Sequence, residues 1–349
     1  MRALLIVNPY ATSTTPVRRE VITHALASEL DLDVVQTRYR GHAAHVAEGA
    51  AREGFGLVLT LGGDGTVNEV VNGILRARPP GAGLDGATDG PPLFAALPGG
   101  NANVFVRALG LPVDPVDATG RILQSLPAGH TRTIGLGLAD RRYFCFNAGL
   151  GLDAEVVRVV EGLRARGRGA SAAMYERATV RQVSAVTNRR VPALSLELDG
   201  VPAVNGLFLG IVSNSSPWTY LGQRPVLASP RAGFDTGLDL LAVRTLGTLP
   251  TLNLVRQMLS RGLGPSGRHV VTLHDQPALT FRAARPMAFQ VDGEYVGERE
   301  HVMLRSIPNA LRVLVCSRPP DSPLWVRGAR CQAAQRPRPR TSSPLGIQR

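Results

Sequence analysis

Residues 59–74 read LTLGGDGTVNEVVNGI, and this stretch decides the fold of the first third of the chain. An apolar strand ends in the glycine-rich turn at residues 62–66, and apolar residues then recur at helical spacing. Such a turn lets backbone N–H groups approach a phosphate at the N-terminus of the helix, which Thr66 is expected to cap. Asp64 has two interpretations here: it holds a divalent cation or a ribose hydroxyl, or it only satisfies local amides.

A second glycine-rich turn, LPGGNAN at residues 97–103, also follows an apolar run and precedes a helical pattern. Strand and helix patterns alternate from residue 3 onwards, and the first two strands end near Asn8-Pro9 and Thr37. This alternation predicts a parallel, doubly wound α/β sheet. Because ligands bind at the carboxyl ends of the strands in such sheets, the four strand ends predict a nucleotide crevice.

After about residue 133 the pattern changes to short alternating apolar runs separated by turn residues. Helical patterns interrupt these runs at 170–188 and 249–260. The pattern predicts an antiparallel β-sandwich. The expected parts of the chain are an α/β domain at 1–134 completed by a strand near 311–316, a β-sandwich domain at 135–310, and a disordered basic tail at 319–349.

The 349-residue chain contains no lysine, so all 39 of its Lys-plus-Arg cations are arginines. This composition excludes a GxxxxGK[ST] phosphate loop, a protein-kinase strand lysine and Schiff-base chemistry. The three cysteines have no CxxC spacing and the histidines are scattered, so we expect neither a disulfide framework nor a zinc site. Any phosphate is therefore bound by backbone amides, arginine or metal.

The formal charge of +12 is concentrated in two stretches. Residues 318–349 carry seven arginines against one aspartate, and residues 161–190 carry seven against two glutamates. Neither stretch has the interleaved aromatic pattern of nucleic-acid-binding segments, so the expected partner is an anionic membrane surface and not nucleic acid. The chain has no apolar run of 18 residues, and its first run is too short for a secretion signal. We therefore expect a cytoplasmic protein that binds membranes peripherally.

Asp292-Gly293-Glu294 is the second candidate for chemistry. Asp-Gly is the strongest short signal for a β-hairpin turn, and QVDGEYV alternates as a hairpin does. On one strand, however, Asp292 and Glu294 would point to the same face, where one carboxylate accepts a proton and the other orients it or binds metal. The residues alone favour the hairpin.

Several segments, taken in order, resemble the bacterial diacylglycerol kinase family of lipid kinases, which shares its catalytic domain with sphingosine and ceramide kinases. The matching segments are VNPYAT, TRYRGHA, GGDGTVNEVVNG, LPGGNANVFVRALGLP, FNAGLGLDAEV, FDTGLDLLAV and VDGEYVGE. The resemblance covers about residues 1–318, whereas NAD kinases share only the GGDGT. It implies an NAD-kinase-like α/β domain that binds ATP and an antiparallel β-sandwich domain that supplies the base.

The resemblance also implies which residues bind the nucleotide. Family members often place a lysine near the phosphates, and Arg18 or Arg107 is expected to replace it here. The residues expected to line the ATP site are Asn8, Pro9, Thr12, Thr37, Gly62, Gly63, Asp64, Gly65, Thr66, Asn68, Glu69, Gly100 and Asn101.

For catalysis, the resemblance makes Glu294 the expected proton acceptor, with Asp292 beside it, while Asp64 organises metal and phosphates. The family's DxGxLD segment is expected to hold a structural magnesium ion, and an Asx-turn without metal is the alternative. The ligands in that segment would be Asp235, Leu238 and Asp239.

Together these features predict an ATP- and Mg²⁺-dependent kinase that phosphorylates the hydroxyl of diacylglycerol, a membrane lipid, to give phosphatidate. Two alternatives stay open: a kinase for another lipid, such as a sphingoid base or another glycerolipid, and a nucleotide-binding regulator of membrane surfaces that has lost turnover. A homodimer is possible.

Overall fold

The computed structural model describes residues 1–77, 90–165, 191–260, 262 and 264–315. The first part of the chain forms four parallel strands in the order β2-β1-β3-β4. These strands and the helices between them are β1 (Arg2–Val7), α1 (Pro16–Ala27), β2 (Asp31–Gln36), α2 (His42–Arg52), β3 (Leu57–Gly62), α3 (Asp64–Arg76), β4 (Leu93–Pro98), α4 (Val104–Ala108) and α5 (Pro115–Ser125).

Strands β3 and β4 are buried along their whole length, as is typical of parallel strands covered by helices on both faces. Local signals start two of the helices. Thr15 accepts a hydrogen bond from the N–H of Arg18 and caps α1, and Asp114 caps α5 ahead of Pro115. The predicted parallel α/β sheet is therefore confirmed.

The second part of the chain is antiparallel, in the order β14-β13-β10-β7-β15-β16. Its elements are β5 (Thr131–Ala139), β6 (Arg142–Phe144), β7 (Asn147–Gly151), α6 (Leu152–Ala165), β8 (Leu194–Leu198), β9 (Val201–Leu207), β10 (Leu209–Ser213), β11 (Thr219–Leu221), β12 (Arg224–Val226), β13 (Leu238–Val243), α7 (Thr248–Met258), β14 (Val270–Gln276), β15 (Ala278–Val291) and β16 (Glu294–Leu314). The predicted change from a parallel to an antiparallel pattern is confirmed.

Strand β16 joins the two parts into one hydrogen-bonded sheet of 14 strands. It pairs antiparallel with β15 and β5, and near its end Val313 pairs in parallel with Phe94 of β4. The strand expected near 311–316 is the last part of β16, which ends at Leu314. The division into domains at residue 134 stays a prediction.

Three apolar clusters hold the elements in place. The first lies under the parallel sheet and includes Ile134 and Leu311 from the second part of the chain. The second fills the space between antiparallel strands around Phe281. The third lies beneath α6 and α7, where Val160 and Met258 are buried.

The structure differs from the sequence-based predictions at several helices. Helices α5 and α6 were not predicted, although Asp114-Pro115 is a recognisable start signal for α5. The helix expected at 249–260 is α7, whereas the helix expected at 170–188 and the basic tail lie outside the described residues. No helix in the described part of the chain is long and apolar enough to cross a bilayer.

Candidate active site

The two glycine-rich turns pack directly against each other at the ends of β3 and β4. The N–H of Gly99 donates to the carbonyl oxygen of Gly62 at 2.8 Å. A Cβ atom added at Gly99 would lie 2.8 Å from the Cα of Gly62, and one added at Gly100 would lie 2.8 Å from the Cα of Gly63. Only glycine allows this approach, so the packing of the turns explains Gly99 and Gly100.

The loop after β1 lies against both turns. The side-chain amide of Asn8 donates to the hydroxyl oxygen of Thr66 at 3.1 Å, and the hydroxyl of Thr12 donates to Asn101 Oδ1 at 3.1 Å. Thr37 lies at the next strand end, where its N–H donates to the carbonyl oxygen of Val7. The structure thus brings together the four strand ends singled out in the sequence.

Within the described part of the chain, no side-chain hydrogen bond caps the N-terminus of helix α3. Its N-cap residue is Gly63, which makes no side-chain hydrogen bond to the helix. The expectation that Thr66 caps α3 is wrong, because Thr66 lies within the first turn and its hydroxyl accepts from Asn8. Backbone N–H groups at such a terminus suit phosphate oxygens.

Asp64 connects the two turns through its carboxylate, which accepts a hydrogen bond from the N–H of Phe105 at the start of α4 at 3.2 Å. Burial raises the pKa of Asp64 to about 6, while hydrogen bonds from the N–H groups of Val104 and Phe105 and the charge of Arg107 oppose that rise. The interpretation that Asp64 satisfies local amides therefore holds for its contact with the N–H of Phe105. A cation beside this carboxylate would favour its charged form, against the effect of burial.

Asn68 and Glu69 hold neighbouring elements in position. Asn68 is buried and donates to Asp292 Oδ2 at 2.7 Å and to the carbonyl oxygen of Tyr143 at 2.9 Å. Glu69 accepts from the N–H groups of Gly41 and Ala43, at the start of α2. Both side chains are thus engaged by protein groups on the side of α3 that faces α2 and β6.

Asp292 and Gly293 form the two-residue turn between β15 and β16, with φ values of 48° and 75°. Val291 pairs with Glu294 across this turn, as in a tight β-hairpin. The hairpin prediction is confirmed. The expectation that both carboxylates lie on one face of a strand is wrong, because Asp292 occupies the turn itself.

The carboxylate of Asp292 is buried and accepts four hydrogen bonds. Oδ2 accepts from the N–H of Cys145 and the amide of Asn68, both at 2.7 Å. Oδ1 accepts from the N–H groups of Phe146 and Asn147, both at 3.0 Å. Burial raises the pKa of Asp292, and these hydrogen bonds oppose the rise. Since its lone pairs are occupied, Asp292 organises the β6–β7 turn and Asn68.

Glu294 has a different environment, at the first turn of α3. Its Oε2 atom accepts from Arg142 Nη2 at 2.6 Å and from Arg40 Nη2 at 3.4 Å. Its Oε1 atom faces Gly65, where an added Cβ atom would lie only 2.7 Å away. The hairpin thus delivers a carboxylate oxygen to the helix N-terminus that the glycine turns create.

Sequence reasoning missed Arg40 and Arg142, the two cations beside Glu294. Arg142 also donates to Asn68 Oδ1, at 3.0 Å from Nε and 2.7 Å from Nη2. Its guanidinium therefore bridges Glu294 and Asn68 of α3. Arg40 lies within the TRYRGHA segment, which the resemblance had marked. For Arg142 the sequence holds no local signal.

Of the two arginines considered as lysine replacements, only Arg107 lies at the site. Its guanidinium stacks over the ring of Tyr220 at 4.1 Å, and its charge acts on Asp64. Its Nε is buried without a hydrogen-bond partner among the described residues. Arg18 instead forms an exposed ion pair with Asp114 at 3.7 Å.

The segment expected to hold a structural magnesium ion has its carboxylates engaged by other groups. Asp239 is buried, and its Oδ1 contacts His274 Nδ1 at 2.7 Å and accepts from the N–H of Asp275. Asp235 forms an ion pair with Arg132, and Leu238 pairs with β14. Among the described residues no group of three His, Cys, Asp or Glu side chains could hold a metal ion. The carboxylates of this segment are thus paired with protein groups, and magnesium binding there stays a prediction.

Comparison with known proteins agrees with this architecture. The family model "Diacylglycerol kinase catalytic domain" matches residues 2–138. The chain is 27% identical over 305 residues to the diacylglycerol kinase of Bacillus subtilis (strain 168), covering 85% of this chain and 90% of that protein. It is 26% identical to the diacylglycerol kinase of Staphylococcus aureus (strain bovine RF122 / ET3-1), covering 85% and 87%. A crystal structure of a diacylglycerol kinase from Bacillus anthracis str. Sterne has the same fold, with a TM-score of 0.63 at 19% identity, covering 90% and 96%.

Two glycine-rich turns beside a helix N-terminus, with a carboxylate at their edge, suit the transfer of a phosphoryl group. The match of residues 2–138 to the diacylglycerol kinase catalytic domain, together with relatives named diacylglycerol kinase that align with 85% of the chain, shows that the chain is a lipid kinase with a catalytic domain of that type.

Proposed function

We propose that this kinase transfers the γ-phosphoryl group of ATP, with Mg²⁺, to the hydroxyl of diacylglycerol and so produces phosphatidate. The observation that carries the proposal is the position of Glu294 Oε1 beside Gly65, at the uncapped N-terminus of α3. A proton acceptor and a phosphate-binding helix terminus then face the same point. The relatives named diacylglycerol kinase support the choice of lipid.

The nucleotide phosphates would be held by backbone N–H groups of the two glycine turns and α3, with the loop around Asn8 and Thr12 closing one side. Arg107 would supply a cation near the phosphates, since its charge acts on Asp64 between the two glycine turns. Asp64 would hold Mg²⁺, whose charge compensates its partly desolvated carboxylate. The bound nucleotide supplies the phosphoryl group, and magnesium neutralises its developing charge.

Glu294 accepts the proton of the lipid hydroxyl as that oxygen bonds to the γ-phosphorus and the bond to the leaving phosphate oxygen breaks. A hydroxyl with a pKa far above 7 needs such a base in position. Asp292 is a poorer candidate, since both of its oxygens already accept two hydrogen bonds. Arg142 and Arg40 fix the Glu294 carboxylate so that one oxygen faces the site.

The test is transfer of radiolabel from ATP to lipids presented separately in detergent micelles: diacylglycerol, a sphingoid base and a monoacylglycerol. Labelled phosphatidate is expected, and it should vanish without Mg²⁺ and fall sharply in Glu294→Gln. Label confined to another lipid would transfer the assignment to that substrate. ATP binding without label on any lipid would contradict catalysis and favour the non-catalytic regulator.

A further inference from the structure

Helix α7 carries apolar side chains on two opposite faces. The inner face packs Leu254 and Met258 into the third apolar cluster. On the outer face Leu249 is 79% exposed, Leu252 61% and Val255 44%. Single exposed apolar residues are ordinary, but three on one face of an 11-residue helix form a patch that calls for a partner.

The stretch of sequence that contains α7 is basic. From residue 240 to residue 274 the sequence contains four arginines and no aspartate or glutamate. Arg244, Arg256 and Arg268 are exposed, and their hydrogen bonds go to a backbone carbonyl, an asparagine and a histidine. Among the described residues none of the three pairs with a carboxylate, so their charge is available to an external anion.

An exposed apolar helix face flanked by unneutralised arginines fits an anionic bilayer surface. Leucine and valine side chains enter the acyl boundary while arginines meet the phosphate headgroups. A second copy of the chain fits less well. A twofold contact places the same patch of each subunit against its partner, and would therefore bring the arginines of one copy against those of the other.

Hydrogen bonds link the C-terminal end of α7 to the candidate active site. Arg224 of the β11–β12 hairpin donates to the carbonyl oxygen of Leu259, just after α7, at 2.8 Å. At the other side of the same hairpin segment, the carbonyl oxygen of Trp218 accepts from the side chain of Asn147 at 3.0 Å. Asn147 in turn donates its N–H to Asp292. The β11–β12 hairpin segment therefore lies between the C-terminal end of α7 and Asn147, which contacts the turn residue Asp292 that precedes Glu294.

We propose that α7 docks the enzyme on anionic membranes, with Leu249, Leu252 and Val255 entering the bilayer surface and Arg256 contacting lipid phosphates. The inference rests on the proposed function in one respect: a kinase whose substrate stays in the bilayer needs a surface that brings its site there. Docking at α7 would present the second part of the chain, which supplies Glu294, to the lipid.

The test uses the full chain and vesicles of phosphatidylcholine with 30% phosphatidylglycerol, sedimented without nucleotide or diacylglycerol. In the double variant Leu249→Gln/Leu252→Gln, glutamine keeps helix propensity while removing apolar surface, so partitioning is expected to fall roughly ten- to hundredfold. Arg256→Gln should weaken binding about fivefold at low salt and less at high salt. The matched control is Val17→Gln/Val21→Gln on α1, which removes two apolar residues that are 69% and 49% exposed; it should bind normally.

Thermal melting and gel filtration of each variant accompany the binding assay. Normal vesicle binding by the folded α7 variant would overturn the proposal, as would an equal loss in the α1 control. A change from dimer to monomer in the α7 variant, with vesicle binding intact, would assign the patch to a second copy and also overturn it. Because no lipid substrate is present, failure of the diacylglycerol assignment would leave the binding result unchanged, so the two proposals can fail separately.

Discussion

The carboxylates of Asp292 and Glu294 are two residues apart, yet the structure predicts opposite consequences when each loses its charge. Asp292→Asn replaces one acceptor oxygen with an amide group. Whichever way the amide turns, two N–H donors lose their acceptor, because each oxygen of Asp292 accepts two. A buried polar group left unsatisfied costs about 1–3 kcal/mol.

Two such losses, partly offset by removal of a buried charge, predict that Asp292→Asn lowers the free energy of unfolding by about 2–4 kcal/mol. The melting temperature should then fall by about 4–12 °C. Glu294→Gln should behave differently, since glutamine still offers an oxygen to Arg142 and the site is partly open to solvent. Its stability should change by about 1 kcal/mol or less.

The loss of catalytic rate should be larger in Glu294→Gln, the variant with the smaller loss of stability. Glu294→Gln is expected to lower kcat by about 10²–10⁴ with little change in the KM for ATP, because the proton acceptor is lost while the phosphate-binding turns are intact. The assay is initial-rate transfer of labelled phosphate to diacylglycerol in micelles, beside thermal melts of each variant. The reasoning is refuted if Glu294→Gln keeps near-normal kcat, or if Asp292→Asn melts like the wild type while losing turnover.

Four further outcomes follow from the site and its surroundings. Asp64→Asn keeps an acceptor for the N–H of Phe105, so the melting temperature should not fall. The Mg²⁺-dependent kcat should fall about a hundredfold or more, and a near-normal kcat would contradict the assignment of Asp64 to the metal site. Arg107→Ala should raise the KM for ATP about tenfold while Arg18→Ala leaves it unchanged, and equal effects would count against Arg107 as the phosphate cation. The pKa of buried Asp153 is raised to about 6 from 3.8, so its ionised form destabilises the fold. Wild type should therefore lose about 1–3 kcal/mol relative to Asp153→Asn as pH rises from 4 to 7, and parallel stability curves in urea titrations would contradict this. Removal of residues 319–349 should weaken binding to anionic vesicles at low salt without lowering activity on micellar lipid. If vesicle binding is unchanged, the rest of the chain must provide the attachment to the membrane.

The parallel part of the fold could be predicted because its signals are local. Apolar runs, glycine turns and helical spacing lie within a few residues of one another, so the pattern after the turn at residues 62–66 already predicts α3 (Asp64–Arg76). The N-terminal cap of α3 was harder to predict from the sequence. Thr66 is a good capping residue by type, but its hydroxyl is taken by Asn8, which is 58 positions away in sequence.

The arrangement of charges around the site could not be predicted, because its contacts are long-range. Glu294 meets Arg142 across 152 positions and Arg40 across 254. No periodicity or motif in one segment specifies which distant arginine arrives there. The DxGxLD segment shows the same limit: its carboxylates suit a cation by type, but the fold supplies His274 and Arg132 as partners instead.

The hairpin and the catalytic interpretations of Asp292-Gly293-Glu294 were posed as alternatives, but the hairpin that the structure contains places Glu294 where its proposed catalytic role requires it. The turn buries Asp292 among four donors, and this anchoring fixes where β16 begins. Glu294 is the first residue of that strand, while Val313 near its end pairs with Phe94 of the parallel sheet. One strand therefore carries the carboxylate and also attaches the antiparallel part to the sheet whose turns form the crevice. The position of Glu294 relative to α3 is set by hydrogen bonds at both ends of β16, so the acceptor oxygen is in place only when both parts of the fold have formed.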